Sequence, residues 1–171
     1  MNNHEAKKEE NIQPAIIIRE MIIDDLAPVF HLGERLFTAR KFINLYRTWD
    51  EYEVLAAFQN ESALCLVAEL ESSGERIGFL LGTTIEKRNS SWKYGYLIWL
   101  GVSPDYGKNA VATRLFALFR TRVMECGVRM ILVDTEATNK PALRFFKKMG
   151  FEKPKQHVYL SLNLQGERPS T

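Results

Sequence analysis

Apolar residues fall at two different spacings along this chain, and the switches between them predict an order of elements. Ile16 to Ile18 is a short β-branched run between Pro14 and Arg19, and it reads as a strand. Leu26, Val29, Phe30, Gly33, Leu36 and Phe37 follow at helical spacing, behind Asp24 and Asp25, either of which can cap the helix. His31 falls on the opposite, solvent side. Thr48, with Glu51 three residues later, opens a second helix as a capping box, and Leu55, Ala56 and Phe58 help supply its buried side. Leu64 to Leu70 and Ile77 to Ile85 are strands joined through the turn Ser72-Ser73-Gly74, which makes a hairpin. Tyr94 to Val102 is continuously apolar, as in a strand covered on both faces. Val111, Leu115, Phe119 and Val123 step by four along a third helix, which Gly127 ends. Met130 to Thr135 is a further strand. Asn139 opens the last helix, with Pro141 in its first turn, Ala142, Phe145, Phe146 and Met149 toward the core, and Gly150 at its end. His157 to Leu164 alternates, with Val158, Leu160, Leu162 and Leu164 on one side, as in a half-buried strand.

The order β-α-α-β-β-β-α-β-α-β implies an α/β (α+β) fold with a mixed sheet, antiparallel in front, with one parallel pair where a helix joins two strands. Residues 14–164 read as a single domain, behind a polar, charged leader at 1–13 and ahead of a frayed tail at 165–171. The chain has 171 residues, 46% hydrophobic and 26% charged, enough for one sizeable core. A net charge of +2 gives no reason to expect nucleic acid as a partner. No apolar run has the length of a membrane span, and the first 13 residues lack the apolar centre of a signal peptide. Cys65 and Cys126 have no CxxC or histidine-spaced partners, so the expectation is no metal site, no disulfide and a reducing cytoplasm. If two copies pair as a homodimer, an exposed aromatic such as Trp92 is a candidate contact.

The stretch Leu97 to Leu115 carries the first chemical signal. A strand breaks at Ser103-Pro104-Asp105, a loop with small residues at Gly107, Ala110 and Ala112 follows, and a helix begins. The first turn of a helix has unpaired N–H groups and the positive end of the dipole, so phosphates settle there, and small residues let the backbone come close. Many strand–turn–helix joints share this form and bind nothing.

Val102, Pro104 and Ala112, read with Asn139, Ala142, Gly150 and Phe151 downstream, resemble the two motifs of the GNAT superfamily of acyl-CoA-dependent N-acyltransferases. The resemblance covers about Ile16 to Leu164. It implies a GNAT-like fold, with a mostly antiparallel central sheet, one splayed parallel strand pair and about four helices. It also implies acetyl-CoA as acyl donor, an amine acceptor that the sequence does not name, and a pantetheine arm lying between the strands that end near Val102 and Thr135. The departures are Gly107 where the family has Gln or Arg, Ala110 where it has Gly, and Phe146 where it often has Tyr.

Acyl transfer to an amine needs a neutral amine, a donor for the carbonyl oxygen as charge develops, and a leaving thiolate. By the resemblance, a backbone N–H around Leu100, Gly101 and Val102 is that donor, and Gly107, Lys108, Asn109, Ala110, Val111, Ala112 and Thr113 cradle the pyrophosphate. Lys108 and Arg114 can add charge or be a solvated surface. Asn139 is a favoured N-cap residue and, by the resemblance, a contact to the pantetheine arm, as is Phe146. Phe146 cannot give a proton, so Tyr159, on the polar side of the last strand, is a substitute acid or an interfacial tyrosine. Asp134 and Glu136 share one face of their strand by period two, and Asp134 stands where the family often carries a carboxylate, as a base or a structural acceptor. Phe37 to Arg47 either lines the acceptor site or packs on the sheet. Gly107, Ala110 and Phe146 also leave open a weak or inactive domain that acts as an acyl-CoA-binding or protein-interaction module.

Overall fold

The computed structural model describes residues 14–37, 48–86, 91–107, 110–155 and 158. The chain divides into two compact units, one through Asp134 and one from Thr135 onward. In the first unit, strands β1 (Ile16–Glu20), β2 (Cys65–Leu70), β3 (Arg76–Glu86), β4 (Lys93–Val102) and β5 (Met130–Val133) form one sheet in sequence order. Neighbours are antiparallel except β4 and β5, which are parallel. Helices α1 (Leu26–Leu36), α2 (Glu51–Glu61) and α3 (Val111–Glu125) belong to this unit, and α4 (Lys140–Lys148) to the second.

The expected apolar stripe of α1 is the one that packs. Val29, Leu32 and Gly33 are buried, Leu26, Phe30 and Leu36 lie against the same core, and His31 is exposed beside Glu34. Gly33 is required by contact rather than by backbone freedom: a Cβ there would stand 2.1 Å from the Trp49 ring. Trp49 is thereby drawn into a cluster with Phe37, Phe79 and Trp99, with ring centroids 4.7 to 6.1 Å apart. Its indole N–H donates to the Phe30 carbonyl at 3.0 Å, and that of Trp99 to Glu53 at 2.9 Å.

α2 corrects two expectations. Its cap is Asp50, not Thr48, and the Asp50 carboxylate accepts from the Glu53 N–H at 2.9 Å. Its buried face also differs: Val54 and Ala57 meet the core while Leu55 and Ala56 are exposed. On the α3 side the step-by-four reading stands: Val111, Leu115, Phe119 and Val123 are all buried. Gly82 lets that helix lie close, since a Cβ there would meet the Phe119 ring at 2.3 Å. β5 is shorter than expected and stops at Val133. In the second unit Asn139 caps α4 as expected, accepting from the Ala142 N–H at 3.3 Å. The alternating segment His157 to Leu164 lies outside the described residues, apart from Val158.

One charged cluster ties the first unit together. Asp25 is fully buried and sits just before α1. Arg19 of β1 grips it with two bonds, at 2.6 and 3.0 Å, and Arg76 of β3 adds a third at 2.7 Å. Glu69 of β2 accepts from Arg19 at 2.6 Å, which brings two cations and two anions together. The Ile22 backbone N–H also donates to Asp25, at 2.8 Å. Burial opposes the charge on Asp25, but the bonds from Arg19, Ile22 and Arg76 together outweigh it and hold the carboxyl below its usual range.

Asp25→Ala leaves two guanidinium groups sharing Glu69 as their remaining anion, and we expect a loss of about 3 kcal/mol in urea unfolding. A carboxyl with a lowered pKa in the fold stabilises fully above its unfolded value of about 4 and less as pH falls through the folded one. Unfolding midpoints measured from pH 6 to pH 2 should therefore fall more steeply in the parent protein than in Asp25→Asn.

Candidate active site

The sheet opens between β4 and β5. β4 and β5 pair from Tyr94 opposite Met130 to Leu97 opposite Val133, and there the pairing ends. β4 runs on through Ile98 to Val102, still held by β3 on its other side as far as Gly78 opposite Val102. The register between β3 and β4 slips at this point: Leu81 faces Trp99 but Gly82 faces Leu97, so Ile98 is an extra residue, a β-bulge. Trp99 to Val102 thus have no strand on the β5 side among the described residues. Backbone groups in such a gap need a partner, and an extended ligand carrying amides can supply one. Leu100 and Val102 are half-buried and Gly101 is buried. A Cβ on Gly101 would stand 2.8 Å from Leu36 and 2.9 Å from the Phe79 ring, so only glycine keeps β4 seated there.

β4 leads directly to a tight turn. The Ser103 N–H donates to the Ile77 carbonyl at 2.8 Å, and a single turn of 3-10 helix, Pro104–Tyr106, follows. Gly107 is in right-handed helical conformation and Ala110, at the N-cap position of α3, is left-handed with φ 54° and ψ 21°. Lys108 and Asn109 lie outside the described residues. Ala110 has no side-chain acceptor, so it cannot cap the first-turn N–H groups of Val111, Ala112 and Thr113, and these suit an anion at the positive end of the helix. Val111 is buried, with Ala112 and Thr113 half-buried. Arg114 is engaged elsewhere: its guanidinium donates to the Ile16 carbonyl of β1 at 2.8 Å.

Asp134 follows the last residue of β5 and lies outside the strand, as does Glu136, so their expected common strand face does not exist. Asp134 instead accepts a short hydrogen bond from the Tyr96 hydroxyl of β4. Tyr96 stands one residue before the last parallel pair, opposite Leu132, so this phenol–carboxylate pair sits where the strands part. Sequence reading missed Tyr96, because it treated the strand as uniformly apolar. A hydroxyl-bearing side chain in an otherwise apolar run was the available signal.

The second unit holds the remaining candidates. The Asn139 side chain accepts from the Ala142 N–H and donates to the Thr135 hydroxyl at 3.1 Å, so both ends of its amide are engaged. Phe146 is buried with its ring edge-on to Phe145 and Phe151, each 5.3 Å away. One buried oxygen of Glu136 has no hydrogen-bond partner among the described residues, while the other accepts from Thr138 at 3.3 Å. Tyr159 lies outside the described residues. Trp92 is 54% exposed and stacks on Tyr94. Among the described residues no group of three His, Cys, Asp or Glu could hold a metal, and no helix is long and apolar enough to cross a membrane.

Residues 27–151 match the family described as acetyltransferase (GNAT) family. The chain belongs to that family. It is 24% identical over 158 residues to N-alpha-acetyltransferase 30 of Homo sapiens, a match that covers 92% of this chain and 37% of that protein. The chain thus spans little more than a third of that relative. Its fold is similar to a chain in the crystal structure of the NatC complex bound to Gag peptide and CoA, with a TM-score of 0.70, 21% identity, and coverage of 82% of this chain and 86% of that one. It is also similar to the aminoglycoside acetyltransferase meta-AAC0020 from an uncultured soil metagenomic sample in complex with trehalose, with a TM-score of 0.66, 20% identity, and coverage of 86% and 97%.

The left-handed Ala110 costs about 1–2 kcal/mol relative to a right-handed residue. Ala110→Gly removes most of that strain, although glycine also gains freedom in the unfolded chain. We expect a net gain of roughly 0.5–1 kcal/mol in chemical denaturation, since a Cβ is strained at positive φ.

Proposed function

We propose that the protein transfers an acetyl group from acetyl-CoA to a primary amine, by direct attack when both substrates are bound. The observation that carries this reading is the gap beyond Leu97 and Val133, with an anion-suited helix start at one end and the Tyr96–Asp134 pair at the other. The pyrophosphate lies on the N–H groups of Gly107 to Thr113, with Lys108 and Asn109 in the same loop, and the pantetheine arm takes the open edge of β4. The Asp134 carboxylate accepts a proton from the acceptor's ammonium group, leaving a neutral amine. The amine nitrogen bonds to the thioester carbon, and the developing oxyanion is held by a backbone N–H in the stretch Leu100 to Val102. The carbon–sulfur bond then breaks. A thiol with a pKa of about 8.5 leaves readily as thiolate, so the phenyl ring of Phe146 is no obstacle. The second proton of the former amine passes to that sulfur, with the Tyr96 hydroxyl as the group able to relay it; Tyr159, in the C-terminal segment, is the alternative acid.

The acceptor class follows from similarity alone: relatives include both an N-alpha-acetyltransferase and an aminoglycoside acetyltransferase. The reading therefore covers the α-amine of a polypeptide and a small amine alike. Two free cysteines, buried Cys65 and exposed Cys126, support a reducing cytoplasm as its place. Burial pushes the Cys65 thiol up to about 12, which keeps it inert.

Calorimetric titration with acetyl-CoA should show binding of about −8 kcal/mol or tighter. With free peptides and small amines as acceptors, Asp134→Asn and Tyr96→Phe should each lower kcat by about a hundredfold, as loss of a proton-transfer group does, and leave KM for acetyl-CoA unchanged. Wild-type kcat in Asp134→Asn would refute the assignment. Acetyl-CoA binding with no acceptor acetylated would favour a binding module, the reading to which Phe146 and Ala110 also lend support.

A further inference from the structure

β3 outruns its neighbour. β2 begins at Cys65, opposite Leu81, so the next residues of β3 have no strand on that side among the described residues. A side chain takes its place. The Thr84 N–H donates to the Glu61 carboxylate at 2.6 Å. The same carboxylate accepts from the Thr84 hydroxyl at 2.9 Å and the Thr83 hydroxyl at 3.0 Å, and the Asn60 amide donates to Thr83 at 2.7 Å. Glu61 thus stands in for a strand along the edge of β3.

The other edge of this same stretch faces β4. Thr83 is opposite Tyr96 and Thr84 is opposite Gly95, immediately below the bulge. A bulge loosens the ladder locally, so the residues beside it need another restraint. Glu61 is also misplaced for its own helix. It is the last residue of α2, with no basic residue in that turn, and a negative charge at a helix C-terminus opposes the dipole. Its three hydrogen bonds to β3 are what the carboxylate does instead.

We propose that Glu61 is a positioning residue for the Tyr96–Asp134 pair: it fixes β3 at Thr83 and Thr84, and through the cross-strand pair fixes where β4 presents the Tyr96 hydroxyl. The inference rests on the reading of that pair as the proton-transfer group. What matters is the reach of the side chain and its acceptor oxygens, not its charge.

The test uses the full chain with tyrosines labelled at the ζ-carbon, the Tyr96 resonance being assigned by its loss in Tyr96→Phe. Glu61→Gln keeps the length and an acceptor for the Thr84 N–H. Glu61→Asp keeps the charge but is one methylene too short. We expect the Tyr96 resonance and kcat of Glu61→Gln to match the parent protein. In Glu61→Asp we expect a moved resonance and a kcat lower by about tenfold, corresponding to 1.4 kcal/mol of transition-state stabilisation, with KM for acetyl-CoA unchanged. The reverse pattern, with Glu61→Asp normal and Glu61→Gln impaired, would overturn positioning in favour of charge. An unmoved resonance and normal kcat in Glu61→Asp would overturn it outright. If Asp134→Asn lowers kcat while Glu61→Asp changes nothing, only the positioning role falls; if Asp134→Asn leaves kcat intact, the proton-transfer reading itself falls.

Discussion

The parting of β4 from β5 is the constraint around which the first unit is arranged. A parallel pair that ends while one strand continues leaves backbone donors and acceptors that must be answered somehow. The structure maintains this unfavourable edge from the opposite side. β3 pairs with β4 to its last residue, and the rings of Phe37, Trp49, Phe79 and Trp99 pack together beside the bulge. The half-buried Arg19–Asp25–Arg76–Glu69 cluster, with Asp25 at its buried centre, then locks β1, β2 and β3 to the entry of α1. The rigid part of the sheet allows its incomplete part to persist.

Much of this frame was legible in the sequence because burial imposes periodicity. The four-residue steps of α3 and the stripe of α1 face the core as their spacing requires, and Asn139 caps α4 because its short amide suits that position. The failures have physical causes too. Thr48 and Asp50 are both good caps, and local chemistry alone does not choose between them; the structure uses Asp50, and it is Val54 and Ala57 rather than Leu55 that meet the core. Asp134 and Glu136 looked like strand residues because the apolar run that ends at Val133 is followed by the β-branched Thr135, but among the described residues the pairing with β4 ends at Val133.

The candidate site was less legible than the fold. The loop before α3 and the stretch Leu100 to Val102 could be located by motif, because glycine and proline punctuate the chain there. The Tyr96–Asp134 contact and the Glu61 clamp could not. They join residues 38 and 23 positions apart, and depend on strand register, which a single slipped residue at Ile98 changes. Ala110 was visible as a departure from the family motif; the structure adds the cause of its cost, a backbone that turns left-handed to start the helix.

The ring cluster has a spectroscopic consequence. Of the three tryptophans, Trp49 and Trp99 lie within it, each with its indole N–H bonded to a protein oxygen, while Trp92 stands exposed near the other end of β4. The intrinsic emission of the protein is therefore divided between a shielded pair beside the opening of the sheet and a solvated outlier. Replacing Trp92 with phenylalanine would leave a light signal that belongs to the shielded pair alone.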